Sequence, residues 1–258
     1  MCVDANATPP IRPVSGASVN HRDLVLESSD GNRFAAFEAY ADEPGDAAVI
    51  VLPDVRGLFG FYQELAERFA EVGYDSIAID YFGRTAGVGV RDEAFDYMEH
   101  IPRTTADGVR RDVAAAVAHL RAGNPDRKLF TVGFCFGGGN SWHQAANGHG
   151  LSGAIGFYGV PNREFPAGAG TVIDRVPEMS CPVLGLMGGD DPGIPAESIA
   201  AFEEALAAAG VEHEVITYPA APHSFFDRSQ EEFAAESADA WQRVLEFILR
   251  NSARGATR

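Results

Sequence analysis

Apolar residues along this chain come in short blocks separated by glycine, proline and acidic residues, and the spacing inside the blocks switches between two periods. Arg22–Ser28 alternates as a strand, Ser29–Asn32 reads as a turn, and Arg33–Tyr40 returns as the second arm of a hairpin. Ala47–Pro53 is a continuous apolar run, the pattern of a strand covered on both faces. Phe61–Val72 places Leu65, Phe69 and Val72 at helical spacing, and Asp75–Asp80 is the next strand. Tyr81–Thr104 has no period and is broken by Gly83, Gly87, Gly89 and Pro102, so it predicts a long loop of the kind that often covers a site. Thr105–Ala122 is an amphipathic helix with Val109, Val113, Val117 and Leu120 inward. Leu129–Val132 is a buried strand, and the residues after Cys135 can run as a helix to Asn147. Strands follow at Ser152–Tyr158, Pro182–Met187 and Val211–Tyr218. Ala196–Ala209 is helical and closes on Gly210, and Gln230–Arg250 is a long terminal helix with Phe233, Trp241, Leu245 and Ile248 on one side.

Strands and helices thus alternate after an antiparallel start, which predicts an α/β fold with a mostly parallel central sheet flanked by helices. Residues 1–20 are rich in Pro, Ala, Ser and Asn without periodicity and read as a disordered tail. Residues 21–251 form one α/β domain, and 252–258 a flexible C-terminal tail. A length of 258 residues suits one large domain. In sheets of this kind, sites form beyond the carboxyl ends of the strands. Asp54, Cys135, Asp191 and His223 each follow a predicted strand.

Composition narrows the classes. The formal net charge is −17, which disfavours nucleic acid and anionic membranes as partners. Lys128 is the only lysine, so nearly all positive charge is arginine. There is no apolar run long enough to cross a membrane and no basic-then-apolar leader, so a cytoplasmic protein is expected. Three cysteines, Cys2, Cys135 and Cys181, do not make a disulfide framework, and a reducing compartment suits a free thiol.

The chemistry concentrates at Gly133-Phe134-Cys135-Phe136-Gly137, which has the spacing of a nucleophile elbow with cysteine in place of serine. The flanking glycines leave room for a sharp strand-to-helix turn. Nucleophilic catalysis also needs a base and a group that orients it. His223 follows the Pro-rich stretch Pro219–Pro222, and Asp190 and Asp191 end the strand before it, giving the order nucleophile, acid, histidine. An oxyanion would be held by the backbone N–H of Phe136 and a second N–H in the loop after Pro53, at Val55 or its neighbour. His100, His119, His143, His149 and His213 lack such placement and read as surface or core residues, His143 being the least secure of them. No cluster of ligands at metal spacing accompanies the paired aspartates, and Gly137-Gly138-Gly139 lacks the lysine of a phosphate loop, so neither metal nor cofactor is expected.

Several motifs together resemble the dienelactone hydrolase (carboxymethylenebutenolidase) family of α/β-hydrolases: Asp80-Tyr81-Phe82-Gly83-Arg84, the Gly133–Gly138 elbow, Phe157-Tyr158-Gly159-Val160, Met187-Gly188-Gly189-Asp190-Asp191 and His223-Ser224-Phe225. The similarity runs from about Asp23 to Arg250. It implies an α/β-hydrolase fold without a large cap domain, a Cys135–His223–Asp191 triad, and hydrolysis of an enol-lactone; the expected activity is hydrolysis of a small carboxylate-bearing lactone or ester, and the expected state is a monomer or homodimer. It also implies that Arg84 binds a substrate carboxylate, with Tyr158 and Arg228 lining the substrate. The family's reference enzymes carry a glutamate after the strand matching Ala47–Pro53; here Asp54 is the nearest carboxylate. The second arginine expected after the histidine is displaced to Arg228, with Asp227 at the nearest match. An acyl transferase, an esterase or thioesterase on another substrate, and a catalytically silent binding relative are the competing readings. An intact triad argues against the last.

Overall fold

A computed structural model describes residues 7–41, 43, 45–89, 91–227 and 229–253. Eight strands form one sheet: β1 (Val19–Glu27), β2 (Arg33–Ala41), β3 (Ala47–Leu52), β4 (Asp75–Ile79), β5 (Lys128–Phe134), β6 (Gly153–Phe157), β7 (Val183–Gly188) and β8 (His213–Tyr218). Their order is β1-β2-β4-β3-β5-β6-β7-β8. β1 and β2 pair antiparallel, as do β2 and β4, and every other pairing is parallel. The helices are α1 (Gly60–Glu71), α2 (Gly83–Ala86), α3 (Tyr97–His100), α4 (Ala106–Arg121), α5 (Phe136–Ala145), α6 (Val172–Arg175), α7 (Ala196–Ala208) and α8 (Ala234–Ser252).

The central strands β3, β4, β5, β6 and β7 are buried at nearly every position, which is why their sequences are apolar runs rather than alternations. α1 and α8 meet through Phe69 and Trp241, whose ring centroids are 4.7 Å apart. α5 and α7 meet through Trp142 and Phe202, also at 4.7 Å. Trp142 is fully buried, and its indole N–H donates to the Leu184 carbonyl at 3.1 Å. Strand order reverses between β3 and β5, because the chain leaves β3 toward β4 and returns to β5 on the other side. That reversal opens a crevice at the carboxyl ends of the two strands.

Local differences from the sequence reading have physical causes. In α8 the buried stripe is Ala240, Val244, Phe247 and Ile248, while Trp241 and Leu245 are half-buried. Trp241 is large enough to pack on α1 from the rim of the stripe. The segment Tyr81–Thr104 is not a plain loop but holds α2, α3 and a 3₁₀ turn, each too short to leave a periodic pattern. Within the expected N-terminal tail, residues 7–18 lie on the domain. Pro9 is buried, Ile11 packs against the core, and the Val14 N–H donates to Glu71 at 3.0 Å. β1 already begins at Val19. Residues 1–6 and 254–258 of the two expected tails lie outside the described residues.

Replacing Trp142 with alanine removes the largest fully buried side chain and an indole hydrogen bond. The expected loss of stability is about 3–5 kcal/mol, measured by urea unfolding monitored by circular dichroism.

Candidate active site

The site is built on one turn. β5 ends at Phe134 and α5 begins at Phe136, which leaves Cys135 alone to reverse the backbone. Cys135 sits at φ 54°, ψ −111°, a conformation that L residues rarely adopt. A Cβ on Gly133 would lie 1.9 Å from the Gly137 carbonyl oxygen, and a Cβ on Gly137 would lie 2.0 Å from that of Leu52. Both neighbours are backbone, so neither can give way. The Cys135 N–H donates to the Phe157 carbonyl at 3.0 Å, which ties the apex to β6.

His223 comes from the loop after β8 and Asp191 from the turn after β7. His223 Nδ1 lies 2.6 Å from Asp191 Oδ2, and the other carboxylate oxygen accepts the Gly193 N–H at 2.8 Å. Asp191 is buried, whereas its neighbour Asp190 is exposed. Of the two adjacent acids, only Asp191 meets the imidazole among the described residues. Ser224, next to the histidine, takes φ 62°, and Phe225 and Phe226 behind it are fully buried, so the loop is anchored as it turns. Tyr158, at φ 37°, packs its ring 5.0 Å from the imidazole.

Burial disfavours charge on His223, but hydrogen bonds to Asp191 and Cys135, and the charges of both, outweigh it and raise the imidazole from 6.5 to about 10. Because the folded value is raised, the stabilisation this group contributes is complete below pH 6.5 and is lost as pH rises toward 10. Cys181 is the contrasting thiol. It is buried, and burial pushes it up to about 12.

The second wall is the loop after β3. Asp54 is buried, and its carboxylate is held by the Arg56 side chain, with Nη2 to Oδ2 at 2.9 Å, and by the Arg56 N–H at 2.8 Å. Arg56 in turn lies 3.8 Å from the ring centre of Phe59. The Asp54 N–H donates to the Tyr62 hydroxyl, and the Tyr81 hydroxyl donates to the Pro53 carbonyl. Asp80 braces the far side of the loop by accepting the Leu58 and Phe82 N–H groups and pairing with Arg91 at 3.0 Å. Among the described residues, no acceptor takes the N–H of Val55 or of Phe136. Phe136 is wedged between Tyr81, at 5.1 Å, and Phe165, at 4.6 Å. Periodicity carried no sign of Tyr81, Tyr62 or Phe165 as neighbours of the site, because each lies in a different segment and only the fold brings them together.

Arg84 has partners of its own. Its guanidinium pairs with Asp30 and with Asp112, the latter at 2.7 Å, and Asp112 also accepts from Ser28 and Asn32. This cluster joins the β1–β2 turn to α4, and it occupies the fork expected to take a substrate carboxylate. Arg228 lies outside the described residues.

Two outcomes follow from this geometry. In Asp191→Asn, the His223 titration midpoint, followed by NMR of the imidazole, falls well below its wild-type position near 10, because the largest stabilising partner of the cation is gone. Arg84→Ala leaves the Asp112 carboxylate buried without its cation. It costs on the order of 1–3 kcal/mol of stability by thermal denaturation while leaving the KM for a carboxylate-bearing lactone unchanged.

Comparison with known proteins agrees with this architecture. The family model for the dienelactone hydrolase family matches residues 34–252. A Yersinia pestis protein named "Putative carboxymethylenebutenolidase" is 31% identical over 238 residues, covering 86% of this chain and 86% of that protein. The Pseudomonas putida carboxymethylenebutenolidase is 27% identical over 235 residues, covering 87% of this chain and 94% of its own. Among solved structures, a "Putative Dienelactone Hydrolase" from Klebsiella pneumoniae superposes with a TM-score of 0.79 at 26% identity, covering 90% of this chain and 99% of that one. With the family model spanning the α/β domain and relatives matching along nearly their whole lengths, this chain belongs to the dienelactone hydrolase family and is a hydrolase acting on ester and lactone bonds.

Proposed function

We propose that the chain hydrolyses small lactones or esters of the dienelactone type through a Cys135–His223–Asp191 triad and a covalent acyl-cysteine. The observation that carries this reading is the 2.6 Å contact between His223 and Asp191, with Cys135 held at positive φ on the elbow and helping to raise the same imidazole. A buried cysteine with a purely structural role needs neither the strained turn nor the histidine.

His223 takes the thiol proton and becomes the imidazolium, which Asp191 stabilises and holds in orientation. The sulfur attacks the carbonyl carbon, and the carbonyl electron pair moves to oxygen. The N–H groups of Phe136 and Val55 accommodate that oxyanion, aided by the N-terminus of α5. Collapse of the tetrahedral intermediate breaks the carbon–oxygen bond of the ester. His223 gives its proton to the departing oxygen, which in a lactone stays tethered to the acyl group. A water then loses its proton to His223 and attacks the thioester, and Cys135 leaves as the sulfur nucleophile it began as. In this reading Asp54, paired with Arg56, is the carboxylate nearest the position where the family's reference enzymes carry a glutamate. The reading needs no cofactor; its partner is a small-molecule substrate, and it places the protein in the cytoplasm as a monomer or homodimer.

The test is hydrolysis of cis-dienelactone, with p-nitrophenyl acetate alongside, by wild type and Cys135→Ala. The expected result is turnover of the lactone that falls by on the order of 10³-fold or more in the variant. Turnover of the simple ester alone would remove the dienelactone assignment and keep the cysteine hydrolase. Unchanged rates in Cys135→Ala would overturn the triad.

A further inference from the structure

The loop after β3 ties a carboxylate to a cation across a single residue. Asp54 Oδ1 accepts the Arg56 N–H at 2.8 Å, and the Arg56 side chain reaches back to the same carboxylate through Nη2 at 2.9 Å and Nε at 3.2 Å. Val55 is the residue enclosed by this ring. The Asp54 carbonyl accepts the Gly57 N–H at 3.2 Å. A trans peptide is planar, so its carbonyl and its N–H point opposite ways. With the Asp54 carbonyl turned toward Gly57, the Val55 N–H on the same peptide is turned away from that hydrogen bond. The neighbouring N–H groups are all accepted within the protein: that of Asp54 by Tyr62, that of Arg56 by Asp54, and that of Leu58 by Asp80.

The carboxylate in this ring is also a charge beside the nucleophile. β3 and β5 run parallel with Leu52 opposite Gly133, so Asp54 and Cys135 each lie two residues past that pair, at the same end of neighbouring strands. Asp54 is 4% exposed. A buried carboxylate there repels both a thiolate and an oxyanion, and the repulsion is stronger than it would be in water. The tyrosines packed around the loop register the balance. Burial first, then the charges of Asp54, Asp80 and Cys135, holds the Tyr81 hydroxyl well above its ordinary range. At Tyr62, after burial, the Asp54 charge pushes upward and the Arg56 charge pushes back. The Arg56 guanidinium lies 3.8 Å from the ring centre of Phe59, and its side chain is 14% exposed. Arginine suits such a setting because its guanidinium is weakly hydrated and planar.

We propose that Arg56 is a positioning residue for the hydrolysis: its bridge to Asp54 fixes the peptide that presents the Val55 N–H, and its charge cancels that of Asp54 where the thiolate and the oxyanion form. The inference rests on the reading of Cys135 as nucleophile and of the Val55 N–H as oxyanion donor, and it extends that reading to a residue that acts through others. Without the guanidinium, the buried carboxylate stands against both negative centres. Without both charges the turn persists, because an asparagine side chain at position 54 still accepts the N–H of residue 56.

The test compares wild type, Arg56→Gln, Asp54→Asn and the double variant Asp54→Asn/Arg56→Gln, with Cys135→Ala as the blank. Each is assayed for p-nitrophenyl acetate hydrolysis and for the rate at which iodoacetamide alkylates Cys135 at neutral pH. Arg56→Gln is expected to lose about tenfold in kcat with KM held within about twofold, as for an interaction made only in the transition state. Alkylation is expected to be fastest in Asp54→Asn, near wild type in the double variant, and several-fold slower in Arg56→Gln. An active Cys135→Ala would remove the nucleophile reading and this inference with it. An inactive Cys135→Ala beside an Arg56→Gln that hydrolyses and alkylates like wild type would overturn this inference alone. Alkylation as slow in the double variant as in Arg56→Gln would do the same. If Arg56→Gln does not fold, Asp54→Asn against the double variant still reads the Arg56 charge, and equal alkylation rates in those two overturn the proposal.

Discussion

The constraint on which the rest of this structure depends is the clearance around the turn at Cys135. A strand and a helix meet there with one residue between them, and the backbone of β3 lies against the first turn of α5. Any side chain at Gly133 or Gly137 would overlap a carbonyl group, so those two positions must be glycine for the elements to approach. The close approach holds Cys135 at φ 54°. Strain of this kind costs on the order of 1–3 kcal/mol and persists only where the surroundings over-determine the geometry. Here the over-determination comes from β6, which accepts the Cys135 N–H, and from Trp142, which nails α5 to β7.

Once that turn is set, the remaining chemistry is a matter of loop placement. The parallel sheet delivers the ends of β3, β5, β7 and β8 to one edge, so residues far apart in sequence arrive together. Each loop is then fixed by its own local device. Asp191 is held by a backbone N–H, Ser224 turns the chain after the histidine, and Asp80 with Arg91 braces the loop that carries Val55. These are buried charges and hydrogen bonds in a place of low dielectric, where a lost partner is costly and a satisfied one is rigid. The two faces of α5 accordingly do different work. Its N-terminus faces the nucleophile, and its Trp142 side packs on Phe202 of α7 and bonds to β7.

Much of this was legible in the chain because it depends on local spacing. The glycines around Cys135, the apolar runs of the parallel strands and the inward face of α4 at Val109, Val113, Val117 and Leu120 are all written in short-range pattern, and the structure returns them nearly at the same residues. The placement of Arg84 shows the opposite case. Its motif resembles one that binds a carboxylate, but the guanidinium is claimed by Asp30 and Asp112, which lie in the β1–β2 turn and in α4. No local pattern announces a pairing between three separate segments.

The sequence by itself determined the α/β class, the strand order of chemistry-bearing loops along the chain, and the elbow, because periodicity and glycine spacing act over a few residues. Only the tertiary structure supplies the physical reason for Asp191 rather than Asp190, which the resemblance already favoured: the turn after β7 buries one carboxylate against His223 and leaves its neighbour in solvent. It also decided that Asp54 would be paired with Arg56 and that Tyr81 and Phe165 would clasp Phe136. The reason is the same in each case: a side chain's charge and reactivity depend on which distant groups the packed fold brings within a few ångströms, and chain order does not encode that distance.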